Sequence, residues 1–268
     1  MTLKYYDTNS LSHLAFEIFS LCFSEKVLPF ESHVLPNCNT SLTFIYGKKQ
    51  SVTSKKQETK LNGLMLTGQF YKSYEFSVKE TGTSFGIILK PTALYKLTKQ
   101  DISQINNKHL PLLDFSKMLH EILNPIFVKH ENNFDNLYHS LCKMLLKIPL
   151  EIDKKVQKID QAIASIHAKN GMLNATDLSE EYDQSQKSLE TQFKKIVGLT
   201  PGKYIRTYRF LNLMRKFESN QIDLKDLIYS YDYYDHSHFS KDFKYFMNQS
   251  PRDYFETDNF FLNEYLSK

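Results

Sequence analysis

Residues 237–255 read SHFSKDFKYFMNQSPRDYF, and residues 187–205, fifty positions earlier, read KSLETQFKKIVGLTPGKYI. Each stretch carries Phe-Lys, five intervening residues, Ser or Thr, then Pro, two further residues, Tyr and an apolar side chain. The duplication extends upstream. Leu178, Tyr182 and Asp183 match Leu227, Tyr231 and Asp232 at an offset of 49, whereas Leu189, Phe193 and Pro201 match Phe239, Phe243 and Pro251 at an offset of 50. The second copy therefore has one extra residue, in the turn after Asp232.

The local chemistry of each copy predicts a short helix, a tight turn and a second, capped helix. Asp183 and Asp232 stand where the first helix must stop and reverse, and Asp is one of the few non-glycine residues that tolerate positive φ there. Ser185 and Asp235 suit the N-caps of the helices that follow, where a side-chain oxygen accepts from an otherwise unpaired backbone N–H. This is a helix-turn-helix, present twice. A chain that carries two such units is built to grip two places on one partner.

The faces of the second helices support that reading. In the first copy Leu189 and Phe193, four apart, face a core, while Gln186, Lys187, Glu190 and Thr191 lie on another face near the N-terminal end. In the second copy Phe239 and Phe243 face inward, and His236, Ser237, Ser240, Lys241 and Lys244 do not; His238 packs beside Phe239 or touches DNA. A helix of this kind enters a major groove, where Lys suits phosphate or guanine, Gln suits adenine, Glu accepts from a cytosine amine and Ser or Thr serves either role. Any one of these positions also fits an ordinary solvated helix face; their recurrence in a duplicated frame favours base contact. Between the units, the sixteen residues Gly202–Phe217 predict a helical strut of about 24 Å. Successive major-groove faces on one side of a duplex lie about 34 Å apart, a distance within reach of such a strut and its flanking elements. Arg206 on the strut is a candidate DNA contact; Arg206, Arg209 and Arg215 alternatively solvate the strut or pair with acids of the N-terminal half.

The charge distribution is compatible with a polyanionic partner. The net charge of +4 resides in residues 1–154, and residues 155–268 are neutral. Within that neutral half, residues 187–216 set Lys187, Lys194, Lys195, Lys203, Arg206, Arg209, Arg215 and Lys216 against Glu190 alone. A basic surface can thus exist on a region without net charge.

Outward from the repeat, the organisation changes near residue 150. The first hundred residues are rich in short β-branched and aromatic runs, HVLPNCNTSLTFIYG, LNGLMLTGQ, YEFSVKE and TSFGIILKP, divided by Asn, Gly, Pro and Lys. PTALYKLT, FSKMLHEILNPIFV and FDNLYHSLCKMLLKI then show helical spacing. Val156, Ile159, Ile163 and Ile166 form an apolar stripe that Asn170 and Gly171 end. The expected fold is a two-domain chain: an N-terminal α+β domain over 1–150, strand-rich and barrel-like, and an all-α domain over 151–268 with two helix-turn-helix units joined by a long helix.

Several function classes are disfavoured. No apolar run reaches the roughly 18 residues of a membrane span, and MTLKYYDTNSLSHLAF lacks the basic head and apolar run of a signal peptide. The three cysteines, Cys22, Cys38 and Cys142, are scattered and fit reduced thiols in a cytoplasm. No Gly-rich phosphate loop, GxSxG or HExxH occurs, so no catalysis is expected. His236 and His238 diverge by about 200° on a helix and do not share a metal ion, so neither metal nor cofactor is expected.

At YDYYDHSHFSKDFKYFMNQSPRDYF, and at DLSEEYDQSQKSLETQFKKIVGLTPGKYIRTYRF before it, the sequence resembles the AraC/XylS family of bacterial transcription regulators. The resemblance covers about residues 155–256. It implies a seven-helix domain whose two helix-turn-helix units read adjacent major-groove segments of double-stranded DNA. Matching positions place Gln186, Lys187, Glu190 and Thr191 on the first reading helix and His236, Ser237, His238 and Lys241 on the second. Asp183 and Asp232 stand where the family usually has Gly, and Glu190 without an Arg sets the first helix apart. TSFGIILKPTALYKLTKQDISQ is similar to a β-rich module of some members that serves effector sensing or self-association. The partners implied are double-stranded DNA, a small-molecule effector or RNA polymerase, with the chain a monomer or homodimer. The rival reading is a ligand-sensing or protein-interaction module whose DNA site is degenerate.

Overall fold

The computed structural model describes residues 1–182, 185–218, 226, 229, 231 and 236–255. Its first part is one antiparallel sheet built from β1 (Thr2–Tyr6), β2 (Ala15–Phe23), β3 (Phe30–Val34), β4 (Ser41–Ser54), β5 (Gln57–Thr67), β6 (Tyr74–Val78), β7 (Gly82–Leu89) and β8 (His109–Pro111). The main path runs β1-β2-β7-β4-β5-β8, and β6 joins β4 to β3. β4 shifts register against β5 between Ile45 and Gln50. Its first half therefore pairs with β7 and its second half with β6, which splits the sheet into two wings. The expected barrel-like module is thus a bent sheet that does not close, since β1 and β8 end the path without pairing.

The β-rich runs picked out in the sequence form parts of β3 to β7. β1 and β2 were not among them. Both mix aromatic and charged residues, and β2 alternates only loosely between buried and exposed positions.

One face of the sheet packs on α1 (Ala93–Thr98), α2 (Leu112–Phe115), α3 (Lys117–Lys129) and α4 (Phe134–Leu145). Ile18, Leu42, Phe85 and Ile87 of the sheet meet Leu119, Leu123, Phe127 and Leu141 of the helices in one continuous core. Burying side chains of this size stabilises by about 1.5–3 kcal/mol each, which is what holds the helices on the sheet.

The remaining elements are helical: α5 (Lys154–Ala168), α6 (Ala175–Glu181), α7 (Gln186–Val197), α8 (Pro201–Glu218), α9 (His236–Met247) and α10 (Pro251–Phe255). Asp153 caps α5, accepting from the N–H of Val156 at 2.8 Å. The stripe Val156, Ile159, Ile163 and Ile166 is buried as its spacing predicts. Asn170 and Gly171, with φ of 51° and 75°, turn the chain out of α5. The two helical units have separate cores, one around Phe193 and Tyr204 and one around Phe210, Phe243 and Phe246. Both cores take in residues of the strand-rich half: Cys38 joins the first and Leu35 the second. Asp160 of α5 also binds α1 and its leading turn, accepting from Lys96 Nζ at 2.7 Å and from Thr92 Oγ1 at 2.6 Å.

Candidate nucleic-acid interface

The first unit is set by its caps. Asn174 accepts from the N–H groups of Thr176 and Asp177, and Asp177 returns a bond to the N–H of Asn174, so the start of α6 is closed from both sides. Ser185 caps α7 as expected, accepting from Ser188 N–H at 3.3 Å. At its other end α7 stops at Gly198, whose φ of 103° only glycine adopts readily. Leu189, Phe193, Ile196 and Val197 turn inward against α5, α6 and α8.

The opposite face of α7 presents Gln186, Lys187 and Thr191 exposed and Glu190 half-buried. Gln186 Nε2 donates to Glu190 Oε1 at 3.3 Å, so the two adjacent polar groups restrain one another. Thr191 Oγ1 donates back to the carbonyl of Lys187 at 2.8 Å.

α9, of the second copy, divides its faces in the same way. Phe239, Phe243, Phe246 and Met247 of α9 are buried, and Ser237, His238, Lys241 and Lys244 are exposed. Tyr254 of α10 closes the core edge-on against Phe243 at 5.3 Å between ring centroids. The turn residues Asp183 and Asp232, the cap Asp235, Leu227 and the side chain of His236 lie outside the described residues.

Arg206 is placed differently from the rest of the candidate set. Its guanidinium makes a bidentate pair with Asp242 of α9, with Nε at 3.2 Å from Oδ2 and one terminal nitrogen on Oδ1. It also lies over the Tyr245 ring at 4.7 Å. The acid it meets belongs to the second reading helix, not to the N-terminal half. Asp242 is 2% exposed, and the pair fixes α9 against α8. Sequence reasoning passed over Asp242, although the spacing of Phe239, Asp242, Phe243 and Phe246 puts that carboxylate on the inward stripe. Among the described residues no cluster of His, Cys, Asp or Glu is arranged to hold a metal ion.

α7 and α9 thus each bury an apolar stripe and present a polar face at matching positions of the duplicated frame. Residues 178–257 match a family model described as a helix-turn-helix domain. Residues 10–111 match a family described only as a domain of unknown function. The HTH-type transcriptional activator RhaS of Escherichia coli strain SE11 is 30% identical over 81 residues, covering 30% of this chain and 29% of RhaS. The chain thus aligns with under a third of the length of the curated relatives it matches. Among solved structures, ToxT from Vibrio cholerae is similar over 90% of this chain and 97% of its own, at 13% identity and a TM-score of 0.46. A structure of ToxT from strain SCE256 with bound unsaturated fatty acid gives 14% identity and a TM-score of 0.45, over 90% of this chain and 93% of that one.

Proposed function

We propose that this protein is a sequence-specific DNA-binding transcription regulator whose α7 and α9 enter adjacent major-groove segments of one duplex. The observation that carries this reading is the duplicated frame: each copy buries its apolar stripe and leaves the equivalent polar face exposed. Gln186, Lys187, Glu190 and Thr191 read the first segment, and His236, Ser237, His238, Lys241 and Lys244 serve the second, by base or phosphate contact. Arg206 acts through Asp242 to hold α9 in place. The rival module with a degenerate DNA site is disfavoured because the described residues of these faces are exposed or half-buried. The reading includes a cytoplasmic location and no catalysed reaction; among the described residues no helix is long and apolar enough to cross a membrane.

The test is selection from random-sequence duplex DNA with the purified full chain. An enriched motif with two elements about one helical turn apart is expected, with affinity that falls steeply as salt rises. Weak, flat binding to every sequence would overturn the reading.

A second reading concerns the sheet. A cavity of about 190 Å³ lies within it, lined by apolar side chains such as Leu21, Ile45 and Met65, and by Leu211 and Arg215 of α8. Gln50, on its lining and 1% exposed, has both amide atoms without a partner, as do His109 Nε2 and Asn39 Oδ1. Buried polar atoms are nearly always satisfied, so this set suits a small, mostly apolar effector with at least one donor and one acceptor. A thermal-shift screen of such metabolites should find stabilisers that Gln50→Met abolishes. Equal shifts in the variant would remove the cavity from the account.

A further inference from the structure

The internal duplication has a matching pair of end residues, and the strand-rich half holds both of them. Gly198 ends α7, and Asn248, fifty positions on, ends α9; both take the left-handed conformation, with φ of 103° and 58°. The last carbonyls of a helix have no partner within it and must be satisfied from outside. In both copies a residue of the N-terminal half supplies a donor at this end.

For α7 the donor is Asn106, whose Nδ2 bonds the carbonyl of Gly198. The approach is close enough that a Cβ on Gly198 would stand 2.8 Å from Asn106 Oδ1 and 3.3 Å from the carbonyl oxygen of Ile102. For α9 the donor is Ser73. Its N–H bonds the carbonyl of Phe246 at 2.7 Å, and its Oγ bonds the carbonyl of Met247 at 2.8 Å. Asn248 Nδ2 answers with a bond to the Ser73 carbonyl at 3.3 Å. Ser73 is 4% exposed, so these bonds are shielded from water.

The two gripping residues belong to one piece of structure. The N–H of Asn107 bonds the carbonyl of Gln69 at 2.9 Å, and Asn107 Oδ1 accepts from the N–H of Tyr71 at 3.1 Å. Gly68 N–H bonds the carbonyl of Lys108 at 3.0 Å. A side chain at Gly68 would collide with the carbonyl of Ile105, so the two loops press together backbone to backbone. Lys203 of α8 sits over the Tyr71 ring at 4.0 Å, and Lys72 over Tyr245 of α9 at 4.7 Å, along the same seam.

We infer that Ser73 and Asn106 are positioning residues for two-element DNA recognition: loops 68–73 and 105–109 form a jig that grips both reading helices by their C-terminal ends and sets their relative placement. α8 carries both units, with its own side chains in each core and Arg206 paired to Asp242 of α9. The loops add a second attachment at the C-terminal ends of α7 and α9, which narrows their relative placement while the N-terminal polar faces stay open. The consequence is a preferred spacing between DNA elements, determined by a part of the protein that touches no DNA. This rests on the proposed reading of α7 and α9 as DNA-contacting helices, and the first arm of the test is independent of it.

That arm uses spin labels at Lys187→Cys and Lys241→Cys in full-length protein carrying Cys22→Ser, because Cys38 and Cys142 are buried. Pulsed dipolar measurements without DNA should give one narrow distance distribution, which broadens in Ser73→Ala/Asn106→Ala. An unchanged distribution would overturn the inference. The second arm measures binding of the selected duplex with its two elements moved apart or together in single base pairs. Loosening one of two linked contacts lowers effective concentration, so the variant should lose about tenfold at the preferred spacing. It should tolerate the other spacings better and bind a single element as the parent does. An equal loss on the single element, or a gain at every spacing, would overturn it. Asn106→Ala alone, at a half-buried position, repeats both arms should the double variant fold poorly. If the parent selects no motif, the DNA reading fails, while the distance arm still decides whether the jig exists.

Discussion

At the scale of single residues, Arg206 and Asp242 join α8 to α9. Arg206 stands in a basic stretch of the chain, where its sequence makes it a candidate DNA contact or a partner for an acid. Its bidentate pairing with a buried carboxylate gives it other work, and such planar two-bond geometry is what Arg does best. Arg206→Ala strips the guanidinium from a carboxylate that is 2% exposed, with a cost of about 2–4 kcal/mol once the half-exposed state of the Arg is allowed for. Denaturant melts of the variant check this. The salt dependence of DNA binding should keep its slope, whereas loss of a phosphate contact would lower it by about 0.9. His109 carries a different prediction. Burial among Phe70 and Tyr74 pushes its imidazole down to about 3, against about 6.5 in an unfolded chain. Between those values the unfolded chain binds a proton that the folded chain refuses, so stability falls as pH falls below about 6.5. From pH 7 to pH 5 this site alone should remove about 2 kcal/mol. His109→Gln should flatten that part of the stability–pH curve, as measured by chemical denaturation at each pH.

At the scale of elements, the sharpest prediction separates the two faces of α9. Phe243 is fully buried and meets Phe210, Phe239 and Tyr254. Phe243→Ala should cost about 3–5 kcal/mol. Lys241→Ala and Lys187→Ala, both at exposed positions, should leave the melting temperature within a degree or two and weaken DNA binding across sequences. Thermal melts and salt titrations of the three variants check the assignment; a melt shift in Lys241→Ala and none in Phe243→Ala would reverse it. This division was readable from spacing alone, because an amphipathic helix with one buried stripe writes its period into the sequence, as α5, α7 and α9 do. Ser185 was readable as a cap for the same local reason. β1 and β2 were not, since their alternation is loose: β1 pairs with β2, and β2 pairs with β7 across about 60 or more positions of chain, which no local pattern announces. The bonds at the ends of α7 and α9 were beyond reach for a related cause: Asn106 and Ser73 meet their partners across 92 and 174 positions of chain. Nothing in NNKH or FYKSY marks either residue as a donor to a distant helix.

At the scale of the whole molecule, a chain that reads as a strand-rich half and a helical half packs as one body. Cys38 sits in the core of the first helical unit, with its Sγ 3.8 Å from the carbonyl of Tyr204, and Leu35 sits in the core of the second. Asp160 ties α5 to Lys96 and Thr92, and Lys99 pairs with Glu151 at 2.5 Å where the halves meet. Shared cores couple unfolding, because opening one half exposes apolar surface of the other. The full chain is therefore expected to melt in a single calorimetric transition, with van't Hoff and calorimetric enthalpies in agreement. Its helical half, expressed as residues 151–268, should melt lower, since the contacts of Leu35, Cys38, Ser73 and Asn106 are missing from it. Leu35→Ala, a buried position 4% exposed at the seam, should lower the melting temperature of the full chain without splitting its single transition. Two separate transitions in the full chain, or a 151–268 segment that melts where the full chain does, would mean that the halves fold independently. The grip on α7 and α9 would then be too weak to fix their spacing.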